Sequence, residues 1–369
     1  MTLKRKTRAA GTVVRLEHTS KILADNPLGD PHVREVGVYL PPQYDEGRGR
    51  QRGRRFPVLY DLVGFTGSGL GHLNWKPFGD NVPERVARLI ETRRMGPAIV
   101  VFPDCFTRLG GNQYVNSAAI GDYADYLTKE IIPFIDRELR TLASREHRGC
   151  FGKSSGGYGA IIHGMKYAKH WGAIADHSGD AYFEMVYGHD WPNTLNELAR
   201  YREPRQSAGP YDSAHAAPGL AEGRDDGRVR RFLEAMWRKE KLSNAEGHAI
   251  MNVCMAATYD ADPRAPLRFR LPYHLETGER LDARWRQWLR HDPVRLVLRY
   301  RENLKSLRGI YIDCGWRDQY HIHYGARQLS ARLASARIAH TYEEYDDNHS
   351  DVDYRMDVSL PFLYQALKP

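Results

Sequence analysis

The sequence predicts an α/β fold, in which a mostly parallel central sheet is flanked by helices on both faces and interrupted by one large insertion. Short apolar runs such as residues 56–63 and 98–102 are typical of strands buried on both faces of a parallel sheet. They alternate with segments that have apolar residues at helical spacing, such as 123–142 and 155–167. This alternation favours a parallel sheet.

Each element follows from its local pattern and from the residues that end it. The second strand ends at Pro41-Pro42 and the fourth at Pro103-Asp104, because proline has no N–H to donate to a sheet. The predicted strands are residues 12–17, 34–40, 56–63, 98–102, 147–152, 172–176, 309–314 and 341–345. The predicted helices are residues 82–94, 123–142, 155–167, 228–239, 323–336 and 352–367.

The alternation stops near Asp180 and resumes near Leu307. The stretch between them is too long for a loop in a compact domain and contains helical patches. We therefore expect one domain built from residues 1–179 and 307–369, with residues 180–306 inserted over the sheet as a cap. The length of 369 residues fits this organisation better than two equal domains.

The net charge of +8 is concentrated at the N-terminal end, where the first 60 residues hold twelve Lys and Arg against six Asp and Glu. The basic runs 4–8 and 48–55 are compatible with an anionic partner or with a solvated tail and loop. No aromatic residue lies between the arginines of 47–55, as a stacking platform for single-stranded nucleic acid would require. We therefore expect no nucleic-acid partner.

The sequence contains neither a recognisable signal peptide nor an apolar run of the roughly 18 residues that a membrane span needs. Its four cysteines are widely spaced and form no C-x-x-C pair. We expect a reduced, cytoplasmic protein with no membrane association, no structural disulfide and no zinc site.

A candidate nucleophile lies between a predicted strand and a predicted helix. Gly152-Lys153-Ser154-Ser155-Gly156 matches G-x-S-x-G, which holds its serine on a strained strand-to-helix turn. Ser155 does not fit the motif, because Lys153 and Gly157 flank it. The context favours Ser154 over a chance match, and a serine hydroxyl of this kind needs a base to accept its proton.

The acid and the base should follow in the chain order Ser, Asp or Glu, His. Asp318 follows the strand 309–314, where side chains face the crevice of an α/β sheet. The alternative for Asp318 is a helix N-cap, and the alternative acid, Asp313, lies inside the strand. His349 follows the last strand, and among the sixteen histidines it alone has the placement expected of the base.

Two histidines close to Asp318 raise the question of a metal. His321 and His323 form an H-x-H pair, but no set of Cys or carboxylate residues completes a site. We therefore expect no metal. They also follow Asp318 too closely to act as its partner.

An oxyanion would need two backbone donors. The N–H of Ser155 at the helix start is the first, and the Gly64-Phe65-Thr66-Gly67 loop after an earlier strand offers the N–H of Phe65 as the second. The alternative for this loop is an ordinary tight turn.

These motifs resemble those of the putative esterase (esterase D-like) family of α/β hydrolases, which includes S-formylglutathione hydrolases, enterochelin esterases, feruloyl esterases and the antigen 85 mycolyltransferases. The similarity runs from about residue 30 to the end and rests on segments 58–67, 114–117 and 152–159, on Asp318, and on 342–349. Many members have His-Gly in the oxyanion loop, whereas this chain has Val63-Gly64. The resemblance implies an α/β-hydrolase fold.

The resemblance and the triad together predict a serine carboxylic ester hydrolase that acts through an acyl-enzyme on a small or aryl ester without a cofactor. Acyl transfer to another acceptor, or a non-catalytic binding role, are the alternatives. Candidate substrate contacts near strand ends are Tyr114, Asn116, Asp180 and Tyr182. The aromatics Phe183, Tyr187 and Trp191 fit either a pocket wall or the core. A homo-oligomer is compatible with the sequence.

Overall fold

The computed structural model describes residues 10–45, 53–203 and 226–369. The basic run 4–8 and most of the run 48–55 lie outside the described residues.

Eight strands form the main sheet of the described chain, and we number them β1 to β8. They are Thr12–Thr19, Val33–Leu40, Val58–Leu62, Ile99–Phe102, Arg148–Lys153, Ala173–His177, Gly309–Gly315 and Thr341–Tyr345. Their order across the sheet is β1-β2-β4-β3-β5-β6-β7-β8. Neighbours from β4 to β8 pair in parallel, whereas β1 with β2 and β2 with β4 are antiparallel. The predicted mostly parallel sheet is confirmed.

Helices of eight or more residues are numbered α1 to α8. They are Val82–Glu91, Ser155–Lys166, Trp191–Ala199, Arg228–Met236, Asn244–Tyr259, Asp282–Leu289, Ile322–Ser335 and Met356–Leu367. Shorter α-helical pieces are Pro42–Asp45, Tyr123–Asp125, Ile132–Glu138, Phe183–Val186, Pro293–Leu296 and Arg301–Lys305. None of the helices in the described residues is both long and apolar enough to cross a membrane.

The two faces of the sheet are covered by different helices because side chains alternate along each buried strand. Leu59 packs with α1 and α8 in one apolar cluster, whereas its neighbours Val58 and Tyr60 join the other. That second cluster includes buried side chains of α2 and α7. This alternation explains why β3 is apolar at consecutive positions.

Three predicted helices end earlier than expected: those over 82–94 and 228–239 end at Glu91 and Met236, and the helix over 123–142 falls short by the most. The helix predicted over 123–142 ends at Glu138 and includes a π-helical stretch, Tyr126–Ile131. Beyond it the backbone pairs with Phe56, which donates to the carbonyl of Arg140 and accepts from the N–H of Leu142. These bonds require an extended chain, so they override the apolar spacing that predicted helix.

The segment between β6 and β7 is largely helical. Its helices α3 and α5 pack against each other, while its last short helices, Pro293–Leu296 and Arg301–Lys305, pack against α2. The short helix Phe183–Val186 packs against α7. The segment is therefore attached to the sheet's flanking helices at both of its ends.

Helix α2 lies against β3 without any space for side chains. A Cβ atom added to Gly152 or to Gly156 would come closer than 3.0 Å to the carbonyl oxygen of Leu62. Such approaches essentially never occur for real Cβ atoms, and backbone is the obstacle in both cases. Glycine at these two positions is therefore a packing requirement as well as part of the sequence motif.

A carboxyl group is buried beside the start of the same helix. Asp176, at the end of β6, is 2% exposed, and its Oδ1 has no hydrogen-bond partner among the described residues. Burial raises the pKa of Asp176 from the ordinary 3.8 to about 7, although the neighbouring His177 and the N–H of Gly179 oppose the shift.

The close packing of α2 predicts a strong asymmetry between two Gly→Ala substitutions. Gly156→Ala should destabilise the fold by about 3 kcal/mol or more, or prevent folding, because α2 must move away from β3. Gly247→Ala in α5 meets no heavy atom within 4 Å and should stabilise by up to about 1 kcal/mol. Urea unfolding measures both, and equal effects would contradict this account.

The burial of Asp176 predicts a pH-dependent difference between the wild type and Asp176→Asn. The stability that the neutral carboxyl provides is present below about pH 3.8 and is lost as pH rises through about 7, because the unfolded chain releases the proton first. The free energy of unfolding of the wild type should therefore fall relative to that of Asp176→Asn between pH 4 and pH 8. A difference that stays constant over this range would exclude the raised pKa.

Candidate active site

Ser154 occupies a strained turn between β5 and α2. Its φ of 58° and ψ of −124° lie in a region that residues other than glycine rarely adopt. The turn is held at both sides, because Ser154 N–H donates to the carbonyl of His177 at 2.9 Å and Tyr158 N–H donates to the carbonyl of Ser154 at 2.8 Å. Backbone strain of this kind is what the G-x-S-x-G turn uses to project its serine.

Asp318 and His349 form a buried pair. The Nδ1 atom of His349 lies 2.7 Å from Oδ2 of Asp318, and Oδ1 of Asp318 accepts the N–H of Tyr320 at 2.9 Å. The N-cap of α7 is His321, so Asp318 is not the cap that was its alternative interpretation. The carboxylate thus orients the imidazole and leaves its Nε2 for another partner.

The loop that carries His349 is held by Lys153, the neighbour of Ser154. Lys153 Nζ donates to the carbonyl of His349 at 3.2 Å, and His349 N–H donates to Oε1 of Gln319 at 3.0 Å. The ring of Tyr320 lies edge-on to the imidazole, with 4.8 Å between centroids. The backbone of His349 is therefore held by two hydrogen bonds, and its ring by Asp318 and Tyr320.

Asp313 belongs to a different cluster. Its Oδ1 lies 2.7 Å from Nδ1 of His177, whose Nε2 lies 2.8 Å from Oγ of Ser359. Arg355 donates to the other oxygen of Asp313 at 2.9 Å. Burial raises the pKa of Asp313, but the neighbouring His177 and Arg355 lower it more, so that it lies below its ordinary value. This Ser-His-Asp row is almost fully buried, and no local pattern in the sequence indicates it, since Ser359 and Arg355 lie inside or beside a helix far along the chain.

The loop after β3 lies against Ser154. A Cβ added to Gly64 would lie 3.2 Å from the carbonyl of Lys153 and 3.5 Å from Cβ of Ser154. The next amides of the loop are used, because Thr66 N–H donates to Gly110 and Gly67 N–H to Gly64. The N–H of Phe65 has no acceptor among the described residues.

The amide of Ser155 is at the first position of α2, where an α-helix offers no internal acceptor. The Phe65 and Ser155 amides flank Ser154 from two elements. Both N–H groups lack an acceptor among the described residues.

A pocket of about 440 Å³ opens over Ser154. It is lined by three groups of residues: Gly64, Phe65, Thr66, Lys153, Ser154 and His349 from the sheet's loops; Asp180, Val186, Tyr187, Leu242, Ser243, Asn244, Gly247, His248 and Met251 from the insertion; and Tyr320 and Ile322 near α7. The insertion thus supplies one wall of the pocket.

The candidate substrate contacts do not all lie there. Asp180 lines the pocket, whereas Tyr114 is buried and donates its OH to the carbonyl of Val63 at 2.8 Å. Asn116 is exposed and accepts the N–H of Asp125, and Tyr182 lines a separate cavity of about 340 Å³. Of the three aromatics considered, Tyr187 lines the pocket, and Phe183 and Trp191 are fully buried.

No group of three or more His, Cys, Asp or Glu able to hold a metal ion occurs in the described part of the chain. His323 is 7% exposed, and burial, with nearby Arg327, lowers its pKa.

The chain matches the family model described as "Putative esterase" over residues 31–359. Two curated esterases of Mycobacterium tuberculosis, from strains CDC 1551 / Oshkosh and ATCC 25618 / H37Rv, are each 30% identical to it over 159 residues, or 42% of this chain. The match spans 30% of each relative's own length.

Several solved structures share the fold. A ferulic acid esterase has a TM-score of 0.56 at 17% identity, covering 97% of this chain and 98% of that one. FphF, a fluorophosphonate-binding serine hydrolase of Staphylococcus aureus, has a TM-score of 0.54 at 13% identity, covering 98% of this chain and 100% of its own. An S-formylglutathione hydrolase from Agrobacterium tumefaciens has 0.53 at 14% identity, covering 98% of both. The predicted α/β-hydrolase fold is confirmed.

Proposed function

Because the chain belongs to the "Putative esterase" family, we propose that it is a serine carboxylic ester hydrolase with Ser154, His349 and Asp318 as its catalytic residues. The observation that carries the proposal is the 2.7 Å contact between His349 and Asp318 in a pocket that also exposes Ser154. Nucleophile, base and orienting acid are the three roles that acyl transfer by a serine requires.

In this mechanism Ser154 Oγ attacks the ester carbonyl while Nε2 of His349 accepts its proton. Asp318 holds Nδ1 in the required tautomer and stabilises the charged imidazolium. The amides of Phe65 and Ser155 bind the oxyanion, and the proton passes to the leaving alkoxide. Water then repeats the attack on the acyl-enzyme and releases the acid.

A small or aryl ester fits the space available. The volume of about 440 Å³ lies within the range of small-molecule sites, and its lining combines apolar side chains such as Met251 and Val186 with few charges. We assign residues 180–306 the role of a cap, since side chains from this segment form the wall opposite the sheet's loops.

The first test of this function concerns Ser154, the proposed nucleophile. A fluorophosphonate probe should label the wild type, and Ser154→Ala should lose labelling and at least about 10³-fold in kcat on p-nitrophenyl esters. Ser359→Ala is the matched control, because Ser359 belongs to a similar Ser-His-Asp row that no substrate reaches; it should keep the label. An unlabelled wild type, or labelling that survives in Ser154→Ala, contradicts the proposal.

The second prediction separates the two acids. Asp318→Asn should lower kcat by about 10⁴-fold with little loss of stability, because the imidazole would hold the wrong tautomer. Asp313→Asn should mainly lower the free energy of unfolding, since it leaves Arg355 and His177 without their full partner. Initial rates and urea unfolding on both variants test this, and the reverse pattern would make Asp313 the catalytic acid.

A further inference from the structure

Asp180 lies at the pocket with its backbone firmly held. The preceding Gly179 is pressed against the start of α2, where an added Cβ would meet the N atom of Tyr158 at 2.7 Å. Asp180 is only 5% exposed, yet it lines the same pocket as Ser154 and His349. Its position is therefore set by the same packing that shapes the nucleophile's turn.

The two oxygens of its carboxyl group differ. Oδ2 accepts from Nε2 of Gln113 and from the OH of Tyr187, both at 2.8 Å. These donors are themselves joined to the OH of Tyr259, at 3.0 Å and 3.2 Å. Oδ1 accepts no hydrogen bond from the described residues. Burial raises the pKa of Asp180, while Tyr187 and Gln113 oppose the shift.

A buried carboxylate is stabilised by the hydrogen bonds that it accepts, and Oδ1 of Asp180 has no donor among the described residues. A structural role would be met by Oδ2 alone, with its two donors. The remaining oxygen belongs to a side chain on the wall of the pocket, close enough to His349 and Asp318 to interact with them electrostatically. A bound substrate is thus the natural donor.

We propose that Oδ1 of Asp180 is a specificity-determining acceptor that selects esters carrying a hydroxyl group near the scissile bond. This inference rests on the proposed esterase function. A neutral hydroxyl fits better than an ammonium group, because Lys153 already brings a cation to the pocket. A carboxylate on the substrate is disfavoured by repulsion from Asp180. The hydroxyl comes from either the acyl or the alcohol part of the ester.

Matched ester pairs test the inference in the wild type and distinguish these two sources. Glyceryl monobutyrate against propyl butyrate places the hydroxyls on the alcohol, and methyl 3-hydroxybutyrate against methyl butyrate places one on the acyl chain. The wild type should favour the hydroxylated member of at least one pair by about tenfold to a hundredfold in kcat/KM. Ratios near one in both pairs overturn the inference without any variant.

Asp180→Asn changes the acceptor but not the shape. Its amide oxygen is able to keep the bonds from Gln113 and Tyr187, and its NH₂ then presents donors to the pocket. The hydroxyl preference should fall well below that of the wild type, because a neutral amide that donates to the hydroxyl is a weaker partner than a charged acceptor. Tyr187→Phe is the matched control, because it removes a donor to Oδ2 and leaves Oδ1 in place; the preference should persist.

The outcomes are separable. A wild type that fluorophosphonate labels at Ser154, but in which Asp180→Asn lowers kcat/KM equally for both members of each pair, would make Asp180 an electrostatic partner of His349 and overturn the inference. If Tyr187→Phe loses the preference to the same degree as Asp180→Asn, Asp180 acts only through the packing of the pocket wall, and the inference is overturned. A wild type that is neither labelled nor active on any ester fails at the proposed function itself.

Discussion

The contact between the carbonyl of Leu62 and the glycines at 152 and 156 is the constraint on which the site depends. It brings α2 against β3 with no side chain between them. The chain must therefore reverse within the few residues around Ser154, which accounts for its positive φ. The same contact sets the residues after Leu62 beside the start of α2. The positions of Ser154 and of the amides of Phe65 and Ser155, which belong to separate segments, thus share one geometric cause.

Two Asp-His pairs with similar contacts, Asp313–His177 and Asp318–His349, lie in different environments. Ser359, His177 and Asp313 are sealed between the sheet and α8, where their hydrogen bonds contribute only to structure. Ser154 and His349 open onto a pocket instead. The two regions are also connected, because the carbonyl of His177 accepts the N–H of Ser154. The buried cluster therefore supports the turn that carries Ser154.

Sequence reasoning succeeded where the fold requires a fixed chain order. Apolar runs predict the strands. Because side chains at the carboxyl ends of parallel strands meet at one edge of the sheet, the strands in turn predict the positions of Asp318 and His349 after β7 and β8. Sequence reasoning was less informative about the pocket wall, because the wall depends on which residues between β6 and β7 the fold brings over Ser154. Tyr187 and Phe183 are alike in sequence context, yet only the first lines the pocket. The Phe56 pairing that ends the helix at Glu138 is likewise a long-range contact without a local signal.

Buried polar groups hold the part of the pocket wall that residues between β6 and β7 contribute. Asn252 donates to Thr194 at 2.7 Å and to Asp190 at 3.3 Å, and so joins α5 to α3 and to the turn before it. The ring of His248 contacts Tyr320, whose ring in turn contacts His349. A single substitution in this network leaves a buried polar atom unpaired. The wall is therefore preorganised, and its His248 is connected through the ring of Tyr320 to His349, so that a change in the packing of this segment reaches the Asp318–His349 pair.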